Sequence, residues 1–300
     1  MNTFSFTATN EQAGKRVDAV LAKLYVGFSR AIWNTHIKLG NVSINNKTAK
    51  VSDKLSLGSE VTGTLPLKTS ATQLVAPAIQ PEIIYKDKNV LVINKPAGLI
   101  VHPTNKTAEP SVAGAFASMI TDDDPLRPGI VHRLDKDTSG VMILARHKTA
   151  KEYLQAQFKS RKVTKHYIAL VVGQLKNAHA RLELPVRRGI KNPQKMNIEA
   201  SGKPAISEYT LILEYGDYSL LDIAIFTGRT HQIRVQFAHI GHPIVGDKMY
   251  GSSKNPVELN RQFLHASSLG IKLPTGEAKV FIAPIANDLQ HYLNILKSLE

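Results

Sequence analysis

The chain has 300 residues, 43% hydrophobic and 21% charged, enough to bury a sizeable core in one large or two ordinary domains and too apolar for disorder. Its formal charge of +14 exceeds what solubility requires and favours a polyanionic partner, since phosphate contacts need Lys and Arg. No cysteine is present, which excludes disulfides, thiolate zinc sites and cysteine nucleophiles; the opening MNTFSFTATNEQAGKR lacks the apolar core of a secretory signal, and no apolar run reaches membrane-span length, so a soluble cytoplasmic protein is expected.

From Lys15, the residues Val17, Val20, Leu21 and Leu24 fall at helical spacing, Gly27 breaks the pattern and Ser29 is placed to cap a second helix. That helix runs from about Arg30 to Leu39, with Ile32, Trp33 and Ile37 apolar and Gly40 suited to a left-handed end. NVSIN alternates as a strand, NNK makes a turn, and Ser59 to Leu65 supplies another strand. Residues 15–68 carry nine Lys and Arg against three Asp and Glu, so the positive charge is concentrated in this small α+β segment. It is too small to hold much chemistry and suits phosphate-backbone contact, the plainer alternative being a solvated helical face.

Residues 67–80, LKTSATQLVAPAIQ, are rich in Thr, Ala and Pro and read as a linker. Beyond Pro81 come longer strands, EIIY, NVLVIN, HYIALVV, AISEYTLILEY, YSLLDIAIF and KVFIA, with helices predicted at Ser111 to Ile120, Lys148 to Lys159, Arg229 to Ile240 and Asn287 to Leu299. Strands in runs with helices inserted, rather than strict alternation, predict an α+β fold with a largely antiparallel mixed sheet. The expected organisation is a basic domain over 1–66, a linker over 67–80 and a larger domain over 81–300.

Four segments of the larger domain carry candidate chemistry. Gly129 to Arg146, GIVHRLDKDTSGVMILAR, places His132, Arg133, Asp135, Lys136, Asp137, Thr138 and Ser139 between two apolar stretches and reads as strand, charged turn, strand. INKPAGLIVHP reads as a rigid turn that could carry Asn94 and Lys95 toward a ligand, a structural turn being the default. KHYIALVVG sets Tyr167 in an apolar strand, as a core tyrosine or as a stacking face for a base. In TGRTHQIRVQFAHIGHPIVGD, Arg229 falls in the first turn of the predicted helix, where a cation opposes the dipole unless an anion sits beside it.

The stretches RVDAVLAKL and FSRAIWNTHIKLGNVSINNK resemble the S-four-type RNA-binding domain, named after a small-subunit ribosomal protein. The resemblance implies that Arg30 and Lys38, beside the second helix, contact folded RNA. Asn46 stands where the family usually has Gly in the hairpin turn, and Asn tolerates the left-handed geometry needed. The four later segments, PGIVHRLDKDTSG above all, resemble the RluA/RluD-type family of RNA pseudouridine synthases from Lys15 onward. That resemblance implies that Asp135 is the catalytic aspartate, that Arg229 pairs with it, that Tyr167 faces the target base, and that His132 and Arg133 lie at the RNA, Arg133 filling the gap left by the extruded nucleotide.

Such a reaction breaks the glycosidic bond of a uridine, turns the uracil and rejoins it through carbon-5, with no metal, cofactor or external energy. An ionised carboxylate serves either as nucleophile at the sugar or as base toward its 2′-hydrogen, and a nearby guanidinium keeps it charged against burial. An aromatic face and a wedge cation offset the cost of unstacking the base. The pairing of the two domains resembles the subgroup acting on large-subunit ribosomal RNA, and the family suggests a monomer. The competing readings are a synthase acting on tRNA and a non-catalytic RNA-binding or ribosome-assembly protein on the same fold. Asp135 with Asp137 also suggests a glycosidase pair, though Asp137 reads better as a turn acceptor; His231, His239 and His242 lack zinc-hydrolase spacing.

Overall fold

The computed structural model describes residues 3–66, 74–103, 109–190, 192–251 and 259–298. Two units divide the chain, Met1–Ser70 and Ala71–Glu300. In the first, strand β1 (Thr3–Thr7) is followed by helices α1 (Val17–Leu24) and α2 (Arg30–Lys38) and strands β2 (Val42–Ile44), β3 (Lys47–Thr48) and β4 (Glu60–Thr64). The strands form an antiparallel sheet in the order β1-β4-β2-β3. Val17, Val20 and Leu21 of α1 and Trp33 and Ile37 of α2 are buried against it, with Phe4 meeting Trp33 edge-on at 5.5 Å. Ser29 caps α2 by accepting from the Ile32 N–H at 3.4 Å, and Gly40, at φ +79°, ends the helical segment. Asn45 and Asn46, at φ 48° and 62°, make the two-residue hairpin turn, so Asn does there what Gly would do.

The second unit is built on a nine-stranded sheet. Its elements are β5 (Glu82–Lys86), β6 (Val90–Lys95), α3 (Val112–Phe116), β7 (Ser139–Ala145), α4 (Lys148–Lys159), β8 (Thr164–Val172), β9 (His179–Glu183), the small pair β10 (Val186–Arg188) and β11 (Met196–Ile198), β12 (Ile206–Tyr215), β13 (Tyr218–Ile225), α5 (Gln232–His239), β14 (Leu264–Lys272), β15 (Ala278–Ile282) and α6 (Asn287–Ser298). The sheet order is β5-β6-β7-β14-β8-β13-β12-β9, with β15 also pairing β14. β7 and β14 run parallel and the other neighbours antiparallel, which makes the fold α+β with a largely antiparallel mixed sheet. β7, SGVMILA, is buried along its whole length, as a strand covered on both faces should be. One apolar cluster joins it to Phe116 of α3, Leu154 of α4, Phe237 of α5 and Leu289 of α6.

Several expectations change. Ile130 makes an isolated bridge to Leu144 rather than opening a strand, and beyond it the Ile143 N–H is taken by the His132 ring at 3.0 Å. A side chain therefore satisfies β7 where a second hairpin strand was expected. The helix predicted from Ser111 contracts to Val112–Phe116 with a 3-10 turn at Ala117–Met119, and the helix predicted from Arg229 begins only at Gln232. Of the expected linker, residues 67–73 lie outside the described residues, and the rest is docked on the large unit: the Val75 carbonyl accepts from Ser111 N–H at 3.0 Å. The central strand β14 was not expected at all. Gly140, at φ +116°, lies at the parallel β7–β14 pairing, where a Cβ would strike the backbone of Ala266.

Candidate active site

Asp135 sits on the segment that leads into β7, its carboxylate 17% exposed. A turn closes from the Asp135 carbonyl to the Thr138 N–H at 3.2 Å. Each following residue is held by a different part of the fold. The Lys95 ammonium, fully buried at the end of β6, donates to the carbonyls of Pro96 at 2.8 Å, Leu99 at 2.8 Å and Lys136 at 2.9 Å, using all three of its protons. Arg261 donates to the Asp137 carbonyl at 3.0 Å and the Ser139 hydroxyl at 3.2 Å, and is itself gripped in a fork by Asp288 of α6 at 2.6 and 2.8 Å. Gln262 donates to the Thr138 hydroxyl at 3.2 Å. Burial pulls the Lys95 ammonium down to about 7, against the opposing pull of Asp137 and Asp135.

The guanidinium beside Asp135 belongs to Arg234, not Arg229. Arg234 donates to Asp135 Oδ2 through Nη1 at 3.2 Å and grips Asp247 in a bidentate fork through Nε at 2.6 Å and Nη2 at 2.9 Å. Asp247 is fully buried and also accepts the N–H groups of Met249 at 2.9 Å and Tyr250 at 3.1 Å. Burial opposes the charge on both partners, yet their hydrogen bonds and mutual attraction prevail, leaving Arg234 above and Asp247 below their ordinary ranges. Arg229 instead donates through Nε to the Pro204 carbonyl at 3.1 Å. The reason is local: Gln232 folds back to accept from the Thr227 hydroxyl at 2.7 Å and the Arg229 N–H at 3.0 Å, fixing residues 227–229 as a turn before the helix. The first helical turn is therefore Gln232 to Arg234, and its buried cation is the second arginine of the motif.

His231, in left-handed conformation at φ 53° just before α5, extends the cluster. Its Nδ1 lies 3.0 Å from the Tyr250 hydroxyl and its Nε2 lies 3.9 Å from Asp135 Oδ2. The carboxylate favours the tautomer with the proton on Nε2, leaving Nδ1 to accept from Tyr250. Burial holds the imidazole below its usual range despite Asp135. Of the other histidines weighed for a metal, His242 donates through Nδ1 to the Val172 carbonyl at 2.9 Å, and among the described residues no group of three His, Asp or Glu converges as a metal set.

Asp135 and Arg234 border two hollows. One is a cleft of about 620 Å³ that also takes in His102, Lys195 and Lys248. The other is a slot of about 80 Å³ walled by Tyr167, Ile225, Ile233 and Leu264. Tyr167 is buried in β8, and burial, with Asp135 nearby, drives its hydroxyl well above the phenol range. Arg133, exposed, lines both hollows. His132 lies outside these two hollows: its ring stacks on Phe158 at 4.7 Å, its Nε2 accepts from the Ile143 N–H, and burial brings its pKa to about 3, so the imidazole is neutral. In the first unit, Arg30 is bound to the buried Asp18 at 2.8 Å, a carboxylate it shares with Arg16, while Lys38 is exposed at the end of α2.

Residues 89–239 match the family model described as RNA pseudouridylate synthase. The RNA pseudouridine synthase YlyB of Bacillus subtilis is 35% identical over 99% of both chains. The ribosomal large subunit pseudouridine synthase D of Haemophilus influenzae is 34% identical over 99% of this chain and 95% of its own. Among solved structures, human RNA Pseudouridylate Synthase Domain Containing 1 superposes with a TM-score of 0.58 at 25% identity, covering 75% of this chain and 98% of that one. The chain belongs to the RNA pseudouridine synthase family, as an isomerase of the RluA/RluD type.

Proposed function

We propose that this chain converts uridine to pseudouridine in large-subunit ribosomal RNA, with Asp135 as the reacting carboxylate, Arg234 as its ionic partner and Tyr167 against the target base. The observation that carries the assignment is the divided guanidinium. Two of its nitrogens are committed to Asp247, so the third meets Asp135 from a fixed direction, holds the carboxylate in place and leaves its second oxygen for the substrate. Curated relatives carrying the large-subunit name support the choice of RNA.

The isomerisation keeps every atom of the nucleotide and changes no net oxidation state, so no cofactor is needed to balance it. Asp135 opens the glycosidic bond, as nucleophile at the sugar or as base toward the 2′-hydrogen. The slot offers an aromatic ring and three aliphatic side chains to a planar base, and Arg133, at its mouth, fills the stack that the base has left. The first unit acts as an S-four-type RNA-binding domain in which Lys38 contacts the phosphate backbone, while Arg30 serves mainly to hold Asp18. The protein works in the cytoplasm as a monomer. No helix among the described residues is long and apolar enough to cross a membrane.

The test is tritium release from carbon-5-labelled uridine in large-subunit ribosomal RNA. Wild type should release tritium and Asp135→Asn should not; release from tRNA alone would replace the substrate, and release from neither RNA would remove the enzymatic reading of this chain. Mapping pseudouridine in cells with and without the gene identifies the position.

A further inference from the structure

A third hollow of about 460 Å³ adjoins the slot and shares Arg133, Tyr167, Ile225 and Arg229 with it. Its wall carries five cations, Arg133, Lys159, Arg161, Lys165 and Arg229, and no carboxylate. Arg133, Arg161 and Lys165 have no ion-pair partner among the described residues. Like charges gathered in a concave wall repel one another unless an anion occupies it. Lys165 is brought down to about 8, first by burial and further by the neighbouring Arg161.

Backbone strain points to the same place. Arg161 follows α4 in left-handed conformation at φ 59°, with the Arg161 N–H to Phe158 carbonyl bond at 3.3 Å and the Lys162 N–H to Gln157 carbonyl bond at 3.0 Å that close a helix C-terminus. Glycine is the residue that suits that position, and an L side chain there is strained. A strained arginine on the wall of a cationic pocket makes sense if its guanidinium is used. The pocket also has an aromatic wall: Phe226 is 40% exposed, and Arg181 lies 5.2 Å from its ring centroid, itself fixed by Glu183 and Glu208 at 2.7 Å each. An exposed ring held in one orientation is a stacking platform.

We propose that this pocket seats the nucleotide adjacent to the target uridine on the same RNA strand, its phosphate among Arg161, Lys165 and Arg229 and its base against Phe226. The proposal rests on the pseudouridine synthase reading of the Asp135 slot and adds a second subsite to it. Arg133, which lines both hollows, then stands between two successive nucleotides.

The experiment is the salt dependence of binding to large-subunit ribosomal RNA, compared between wild type and variants. Arg161→Gly relieves the strain, so its thermal stability should equal or exceed that of wild type, while its slope of log K against log salt should fall below that of wild type. Arg161→Gly with Lys165→Gln should reduce that slope by up to about 0.7, the contribution to a single strand of the one phosphate that these cations share. Phe226→Ala should weaken binding roughly fivefold to a hundredfold with the slope unchanged. A wild-type slope in the double variant overturns the proposal. So does saturation of the pocket by uridine monophosphate at micromolar concentration, detected as a wild-type binding isotherm that the double variant lacks, because the occupant would then be a free nucleotide. Tritium release measured alongside decides the catalytic reading separately, since the slope reports binding whether or not the strand reacts.

Discussion

Two arginines five residues apart divide the work in the TGRTHQIR stretch. Arg234→Ala should abolish measurable tritium release, a loss of about a hundredfold or more in kcat, and also lower stability by about 3–5 kcal/mol, since Asp247 would be left buried and unpaired. Arg234→Lys separates the two effects: an ammonium can neutralise one carboxylate but cannot fork Asp247 and reach Asp135 together, so a folded protein with severely reduced kcat is expected, checked by thermal melting beside the tritium assay. Arg229→Ala should act mainly on KM, through the neighbouring subsite. Asp135 and Tyr167 were legible in the sequence as members of a family motif. Arg234 was not, because periodicity starts the helix at Arg229, whereas the side chain of Gln232 closes a turn there first. A usable signal was present: residues 232–237 are apolar or amide apart from Arg234, and an arginine in such a run needs a carboxylate, which Asp247 supplies.

At the scale of elements, the reacting loop is rigid because strands and helices far apart in sequence hold its carbonyls. Lys95 makes a prediction with a definite sign. Its pKa is near 7 in the folded protein against 10.5 ordinarily, so between those values the folded state binds fewer protons than the unfolded one, and stability rises with pH by up to about 1.4 kcal/mol per unit. Lys95→Met should flatten that rise in denaturant titrations at pH 7 and pH 9; an equal slope in both proteins would show that the ammonium is not held as described. Arg261→Met cuts the tie from α6 and should lower kcat about tenfold or more with little change in KM, since Arg261 shapes the loop without being needed to bind RNA. These supports explain which elements could be read in advance. The amphipathic α4 was predicted to its ends, because a regular apolar stripe suffices. β14, LHASSLGIK, escaped because Ser267, Ser268 and Gly270 interrupt the alternation; its place in the sheet comes from pairing with β7 and β8, which no local pattern encodes.

For the whole molecule the question is how positive charge is shared between binding and chemistry. Each unit has its own buried cluster, around Trp33 in the first and along β7 in the second, so each can fold on its own apolar core. The basic excess of residues 15–68 was readable by counting, and so was its separation from the candidate chemistry. Removing residues 1–70 should leave the melting transition of the remainder cooperative while weakening affinity for ribosomal RNA and lowering the salt slope by about 0.7 to 0.9 for each phosphate that is no longer neutralised. Turnover at saturating RNA should stay within a few-fold of the full chain, because Asp135, Arg234, Tyr167 and the three hollows all belong to the second unit. An unchanged slope would take RNA binding away from the first unit. A collapse of kcat at saturation would instead mean that the first unit takes part in the reacting complex itself, a role its lack of any proposed reacting group argues against.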